Sequence, residues 1–346
     1  MRIVVDAMGS DHYPVPDVAG AVQAAREWGD EMVLVGQEEL VRSELAKHEV
    51  GGLAIRVVHA PEVIEMHEHT HAVKQKKESS MRVGMRMLKC DEVDAFVSVG
   101  NTAGVLASGL FELGRIRGIR RPALGTIYPV AAQPVFLLDT GATTDCKPEY
   151  LLQFAQMAKT YVEHAWGIDN PRIGLISNGE EADKGNLMVR DAYPVLENSN
   201  INFIGNVEPK EVAKGGTDIA LIDGFTGNVM LKTTEAVASF LFRFLKNELS
   251  SGVRNKVALL LLLPGLVGML PGLLLLSPSI RRIARRLDYA EYGGALLLGL
   301  NGVVIVGHGR SNARAVKNAI GQARTAVEGG VVEAIRAGLT QPAREV

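Results

Sequence analysis

Short apolar runs of strand length recur along the chain, and several are followed by a polar loop and then by a stretch of helical periodicity. Such runs fall at 2–6, 32–36, 53–58, 95–99, 123–128, 134–139, 172–177, 201–205, 219–223 and 302–306, the length range of buried strands. Stretches with apolar positions every three to four residues, among them Asp17 to Trp28, Met81 to Lys89, Pro148 to His164 and Asn228 to Leu249, predict covering helices. The alternation predicts a three-layer α/β/α sandwich around a mixed, largely parallel sheet of about ten strands. The runs at 123–128 and 134–139 are joined by Pro129-Val130-Ala131-Ala132-Gln133, too short for a crossover helix, so they should form an antiparallel hairpin. No short repeat or low-complexity linker interrupts the pattern, and residues 1–346 read as a single α/β domain of two interleaved halves.

The polar loops are the informative part, because ligands of open α/β sheets bind outside the carboxyl ends of strands. Ile3 to Val5 runs into Asp6-Ala7-Met8-Gly9-Ser10-Asp11-His12, and Phe96 to Val99 into Gly100-Asn101-Thr102-Ala103-Gly104. Val135 to Leu138 ends in Asp139 to Asp145, Ile173 to Ile176 in Ser177 to Gly185, and Ile219 to Ile222 in Asp223-Gly224-Phe225-Thr226-Gly227-Asn228. Asp6, Asp139 and Asp223 all stand at strand ends and are expected to face one crevice, capping helices and fixing loops. Converging aspartates also begin magnesium sites, but the reading here assigns no metal and no cofactor. His67, His69 and His71 alternate like a strand face without a fourth ligand and read as a solvated segment.

One segment departs from the alternation. From Val257 to Ile280 no residue is charged, and Pro264-Gly265 and Pro271-Gly272 break the run into short pieces. The reading is a protruding apolar hairpin at 250–287, followed by Arg281, Arg282, Arg285 and Arg286 on one face. It fits either peripheral contact with an anionic membrane through 257–280 or a dimer arm.

Composition narrows the classes. With 346 residues, 47% hydrophobic and 22% charged, the chain can bury a large core. A formal net charge of −2 provides no global field for nucleic acid, so an acidic partner must meet a local basic patch. Lys74, Lys76 and Lys77, the group Arg115, Arg117, Arg120 and Arg121, and the arginines after the apolar segment are the candidates. Two cysteines without metal or redox spacing, and an opening that runs directly into a strand, point to the cytoplasm. No G-x-G-x-x-G follows a strand and no Walker A motif occurs, which removes support for nicotinamide or nucleotide chemistry.

Several motifs together carry a whole-chain resemblance. Asp6-Ala7-Met8-Gly9 with Asp11, Lys76 to Gly84, Gly100-Asn101-Thr102, Gly179-Glu180-Glu181 with Lys184-Gly185, Asp223 to Lys232, Tyr292-Gly293-Gly294-Ala295 with Gly299, and His308-Gly309 occur in order. The chain resembles the phosphate acyltransferases of bacterial phospholipid synthesis, the PlsX family. Ala103-Gly104 stands where Gly-Ala is usual, and Thr143 where Asn is usual. The resemblance implies an isocitrate/isopropylmalate dehydrogenase-like fold related to phosphotransacetylases. It implies reversible transfer of a fatty acyl group from acyl-acyl carrier protein to inorganic phosphate, a homodimer, and handover of acyl phosphate to a membrane glycerol-3-phosphate acyltransferase.

In such a reaction the phosphate is itself the nucleophile, so the site must supply anion binding, orientation and oxyanion stabilisation. Gly100, Asn101 and Thr102, between a strand and a helix starting near Ala103, suit phosphate binding at a helix N-terminus, although such a turn alone fits a plain N-cap. With the resemblance, Gly227 and Asn228 join the phosphate or acyl phosphate set, and Glu180 and Asp11 join Asp6, Asp139 and Asp223 as loop organisers. Lys184 and Lys232 fall at or within the first turn of predicted helices, where the macrodipole disfavours cations. The resemblance turns them into candidate electrostatic clamps rather than solvated or ion-paired lysines. His308 is the candidate proton donor to the leaving thiolate. Cys146 reads as inert rather than as an acyl acceptor. Two rival readings stay open: a phosphotransacetylase acting on acyl-CoA, and a non-catalytic, membrane-docked carrier-protein scaffold.

Overall fold

A computed structural model describes residues 1–128, 133–250, 275–278, 291 and 293–340. One sheet of eleven strands runs through the described residues, in the order β3-β2-β1-β4-β11-β10-β5-β6-β9-β7-β8. The strands are β1 Arg2–Asp6, β2 Glu31–Gly36, β3 Ile55–His59, β4 Ala95–Ser98, β5 Ala123–Ile127, β6 Phe136–Leu138, β7 Ile173–Ile176, β8 Phe203–Val207, β9 Ile219–Leu221, β10 Ala295–Leu298 and β11 Val303–Val306. The ten expected runs are all strands. β10 is the addition, a hairpin partner of β11 whose Ala-Leu-Leu-Leu run is short and lies next to the turn Gly299 to Gly302.

The sheet reverses direction at its centre. β1, β2, β3, β4 and β11 are parallel, β10 is antiparallel to β11 and β5, and β5 is antiparallel to β6 in the expected hairpin. β6, β9, β7 and β8 then run parallel to one another. The carboxyl ends of β1, β4 and β11 therefore lie at one edge of the sheet, and those of β6, β7 and β9 at the other. This corrects the expectation that Asp6 shares a crevice with Asp139 and Asp223: three successive antiparallel pairings, β11 with β10, β10 with β5 and β5 with β6, put it at the opposite edge.

Period-two alternation sorts the side chains into layers. Ile3, Val5, Phe136, Leu138, Ile219 and Leu221 face a large core covered by α1 (Val15–Trp28), α6 (Pro148–Trp166) and α10 (Ala313–Glu328). Val4, Phe96, Leu124, Leu297 and Val304 point the other way, under α4 (Ser80–Lys89) and α5 (Thr102–Glu112). Leu137, Ala220, Ile222 and Tyr128 form a third core with Val212 of α8 (Pro209–Lys214) and Met230 of α9 (Gly224–Ser250). The two smaller cores share a face, and their seam falls along β5, which gives Leu124 to one and lies next to Tyr128 of the other. The remaining helices are α2 (Glu38–Leu45), α3 (Thr70–Gln75), α7 (Leu187–Glu197) and α11 (Val331–Thr340). Asparagine caps start α5, α7 and α10: Asn101, Asn186 and Asn312 each accept from the backbone N–H three residues on.

A buried carboxyl sits where α1 meets the first loop. Asp17 is fully buried, and its Oδ2 accepts from Ser10 Oγ at 2.5 Å. Burial pushes its pKa up to about 8, with the nearby Asp6 charge adding and the Ser10 bond opposing. A folded-state pKa above the unfolded value means that this carboxyl favours folding fully below about pH 4 and loses that contribution as pH rises toward 8. Asp17→Asn removes the titration, so the melting temperature of the variant relative to the parent is expected to rise between pH 5 and pH 8. Parallel thermal melts at the two pH values check it; an unchanged difference would show that Asp17 does not titrate there.

The apolar arm placed at 250–287, apart from Ser250 and a helical turn at 275–278, lies outside the described residues, as do Arg281, Arg282, Arg285, Arg286 and Tyr292. Pro129 to Ala132 of the hairpin connection also lie outside them. Within that helical turn, Leu275 is 82% exposed. No helix among the described residues is long and apolar enough to cross a membrane.

Candidate active site

Three loops meet at the carboxyl ends of β1, β4 and β11. Asp6 is buried there, accepting from Ser98 Oγ at 2.7 Å and from the Met8 N–H at 3.1 Å. Burial pushes its carboxyl upward in pKa, against the Ser98, Ser80 and Met8 hydrogen bonds. Ser98 Oγ also accepts from the Gly100 N–H at 3.1 Å, so Asp6 holds the start of the Gly-Asn-Thr turn through one hydroxyl. A Cβ on Gly9 would come within 3.0 Å of Gly100 N, which is why the Met8-Gly9 segment can lie against this turn only as glycine. The Gly307 N–H donates to Ser98 O and the Asp11 N–H to Gly309 O, which brings Asp11 and His308 to the same place.

Asn101 is consumed structurally. Its Oδ1 caps Gly104, and its Nδ2 donates to the carbonyls of Glu65, Met66 and Glu68, the last at 2.7 Å. That leaves the backbone N–H groups of the first turn of α5, at exposed Thr102 and Ala103, as the anion-binding feature of the turn. Lys76 stiffens the same 65–68 segment by donating to Glu68 Oε2 at 2.7 Å and Val63 O at 2.6 Å. His67 and His69 lie in the exposed turn before α3 and His71 in its first turn, so no strand face forms there.

α9 joins the two edges of the sheet. It begins at the carboxyl end of β9, with the Gly224 N–H on Thr143 O at 2.9 Å, and eleven residues later Glu235 meets His308 at the carboxyl end of β11. His308 Nε2 lies 3.6 Å from Glu235 Oε1, and Arg310 Nη2 lies 3.4 Å from Glu235 Oε2. The His308 hydrogen bond holds Glu235 below the usual carboxylate range, with Arg310 and Lys232 adding. Lys232 sits one turn before Glu235, so Lys232, Glu235, His308 and Arg310 form one polar group beside the Gly-Asn-Thr turn. Nothing local in the sequence marks Glu235, because its partners are 73 and 75 residues away.

Neither lysine lies in the first turn of a helix, contrary to expectation. α9 starts at Gly224 rather than at Asn228, which places Lys232 in its third turn, and Lys184 precedes Asn186, the N-cap of α7. The capping carboxylate explains the first difference: the Asp223 side chain accepts from the Thr226 N–H at 2.9 Å and starts the helix early.

At the opposite edge, Asp139 is fully buried and accepts four backbone N–H bonds, from Leu124, Gly141, Ala142 and Thr143, at 2.7–3.0 Å. Burial raises its pKa, against those four amides. Gly224 and Gly227 pack directly on this loop. A Cβ on Gly224 would sit 2.7 Å from Thr143 O, and one on Gly227 would overlap the Asp139 carbonyl oxygen. Asn228 lies against Gly141, whose φ of +142° glycine tolerates. Glu180 and Lys184 belong to a third loop, after β7, fixed by Asn178 to the Gly185 N–H and by Asn206 to Glu181 O. Lys184 is exposed. The candidate residues thus divide into the His308 group, the Asp139–Asn228 group and the Lys184 loop, with α9 linking the first two.

Cys146 is held protonated: burial, with the Asp139 and Asp223 charges adding, pushes its thiol up to about 12. A thiol so raised is no nucleophile near neutral pH. Cys146→Ser is expected to keep at least half of the parent turnover, measured as thiol release from an acyl thioester with phosphate; a loss of a hundredfold or more in a folded variant would make Cys146 an acyl acceptor.

Residues 1–334 match the family described as "Fatty acid synthesis protein". The chain is similar to a phosphate acyltransferase of Herpetosiphon aurantiacus, 47% identical and covering 97% of this chain and 96% of that protein. A phosphate acyltransferase of Pelotomaculum thermopropionicum is 45% identical, covering 98% and 95%. Among solved structures, the fold is similar to a phosphotransacetylase from Streptococcus pyogenes, with TM-score 0.58, 17% identity, and 96% and 94% of the two chains covered. It is also similar to a branched-chain phosphotransacylase from Enterococcus faecalis, with TM-score 0.56, 10% identity, and 94% and 99% covered. At such identities these structures establish the fold, while the near-full-length relatives establish the family: this chain belongs to the phosphate acyltransferases.

Proposed function

We propose that the protein transfers a fatty acyl group from acyl-acyl carrier protein to inorganic phosphate, forming acyl phosphate and free carrier thiol. The observation that carries the reading is the polar group of Lys232, Glu235, His308 and Arg310 beside the open N-terminus of α5. A phosphate dianion at α5 meets the Thr102 and Ala103 N–H groups and the positive end of the helix dipole. One phosphate oxygen attacks the thioester carbon, the C–O bond forms, and the carbonyl oxygen becomes an oxyanion that Lys232 stabilises. The intermediate collapses with cleavage of the C–S bond, and the imidazolium of His308, oriented by Glu235, gives its proton to the departing thiolate. No protein nucleophile is required.

Lys184 and Glu180 are the proposed second clamp and its support, and Gly227 and Asn228 complete the acyl phosphate side. The exposed stripe of Phe225, Val229, Val237, Phe240, Leu241 and Phe244 on α9 supports a second copy as its cover, because the positions recur at helical spacing. We also propose peripheral membrane contact through 257–280 on the cytoplasmic side and handover of product to a membrane acyltransferase. Sedimentation of the full chain reads the dimer, and flotation on anionic vesicles reads the membrane contact.

The functional test is phosphate-dependent thiol release from palmitoyl-acyl carrier protein, with acetyl-CoA as a parallel donor. Turnover on the carrier donor supports the reading. Turnover on acetyl-CoA alone would make the chain a phosphotransacetylase, and none from folded protein would favour a scaffold.

A further inference from the structure

The loop between α5 and β5 carries Arg115, Arg117, Arg120 and Arg121, all exposed. Several arginines elsewhere meet carboxylates: Arg2 pairs with Asp94, Arg82 with Glu112 and Arg172 with Asp218, while Arg26 and Arg243 donate to backbone carbonyls. Among the described residues no carboxylate forms an ion pair with any of these four. Arg115, Arg120 and Arg121 line a cavity of about 620 Å³ with Leu110, Pro122 and Tyr150, beneath the amino end of β5.

The loop is braced around that cavity. Arg115 bridges Leu300, and its guanidinium donates to Arg120 O. Gln153 clamps the loop twice at 2.9 Å, donating to Gly118 O and accepting from the Arg120 N–H. Asn301 donates to Leu113 O and Arg115 O. Fixing like charges together without counter-charges is unfavourable in the free protein and favourable once an anionic surface arrives. The island also adjoins the site: Pro122 O accepts from Thr143 Oγ1, and Thr143 O receives the first N–H of α9, the helix of Lys232.

We propose that this arginine island is the docking surface for the acidic carrier protein, whose surface carboxylates enter the cavity; the proposal rests on the carrier-protein donor reading above. The competing patch at 74–77 is weaker. Lys76 is neutralised by Glu68 at 2.7 Å, and Lys74 lies 5.9 Å over the Phe111 ring. Docking at the island places the carrier beside the Asp139 loop, whose carboxyl accepts from the Leu124 N–H of β5.

The test measures the dissociation constant of fluorescently labelled, phosphopantetheinylated acyl carrier protein, together with KM for carrier and for phosphate. The full chain is compared with Arg120→Glu/Arg121→Glu and with Lys74→Glu/Lys77→Glu, and melts confirm that each is folded. The arginine variant is expected to weaken carrier binding about tenfold or more and to raise KM for carrier with KM for phosphate within twofold. The lysine variant is expected to bind like the parent. Parent-like binding by the arginine variant overturns the island as docking surface while leaving the donor reading standing. A rise in KM for phosphate alone makes the island a phosphate site, and failure of the parent itself to bind carrier overturns both.

Discussion

Replacing Asp139 with alanine is expected to lower unfolding stability by about 4 kcal/mol or more and to abolish turnover. The carboxylate accepts four backbone N–H bonds inside the protein. Each stranded buried donor costs roughly 1–3 kcal/mol, and water entering the vacated space recovers only part of it. The Thr143 N–H is one of the four donors, and Thr143 O holds the first N–H of α9, so the damage travels into the helix that carries Lys232 and Glu235. Asp139→Asn keeps the shape but turns an N–H donor toward one of the four amides, with an expected cost of about 2 kcal/mol. Denaturant unfolding followed by far-ultraviolet circular dichroism reads both. A loss under 1 kcal/mol for the alanine variant would mean that the loop does not depend on this carboxylate.

Gly227→Ala is expected to be nearly as damaging, at about 3 kcal/mol, for a packing reason. Its Cβ would overlap the Asp139 carbonyl oxygen and come within 2.8 Å of Ile222 Cγ2. A backbone carbonyl whose strand is paired on both sides cannot yield, so α9 must move away, and the alignment of Lys232 with His308 goes with it. Gly338→Ala in α11 is the matched control: nothing lies within 4 Å of the added atom, and the helix is expected to gain about 0.5–1 kcal/mol. If Gly227→Ala unfolded like the parent but lost only phosphate affinity, its role would be contact with ligand rather than close approach of backbone.

The strands were legible because each is a short apolar run ending in a polar loop, and the β5–β6 hairpin because its connection is too short for a helix. β10 was not, since four apolar residues beside a glycine-rich turn carry little periodicity. Sheet direction is also absent from local pattern. Asp6 and Asp139 have the same strand-then-loop signature, yet the three antiparallel pairings from β11 through β10 and β5 to β6 send them to opposite edges. The Gly-Asn-Thr turn is recognisable as a helix start, but the use of the Asn101 side chain on the 65–68 segment is not, because those carbonyls lie 33 to 36 residues earlier in the chain. His308 stands in a visible Gly-His-Gly loop after a strand, whereas Glu235, 3.6 Å from it, has no local signal because the pairing joins residues 73 positions apart.

In the proposed reaction phosphate attacks the acyl thioester without a protein-bound acyl group in between. The most direct measurement is mass spectrometry of the product formed from palmitoyl-acyl carrier protein and phosphate labelled with oxygen-18 at every position, beside the enzyme incubated with donor alone. Direct attack gives palmitoyl phosphate carrying all the label, with the enzyme at its unmodified mass. Free palmitate in place of palmitoyl phosphate, or an enzyme one palmitoyl group heavier when phosphate is withheld, would contradict it.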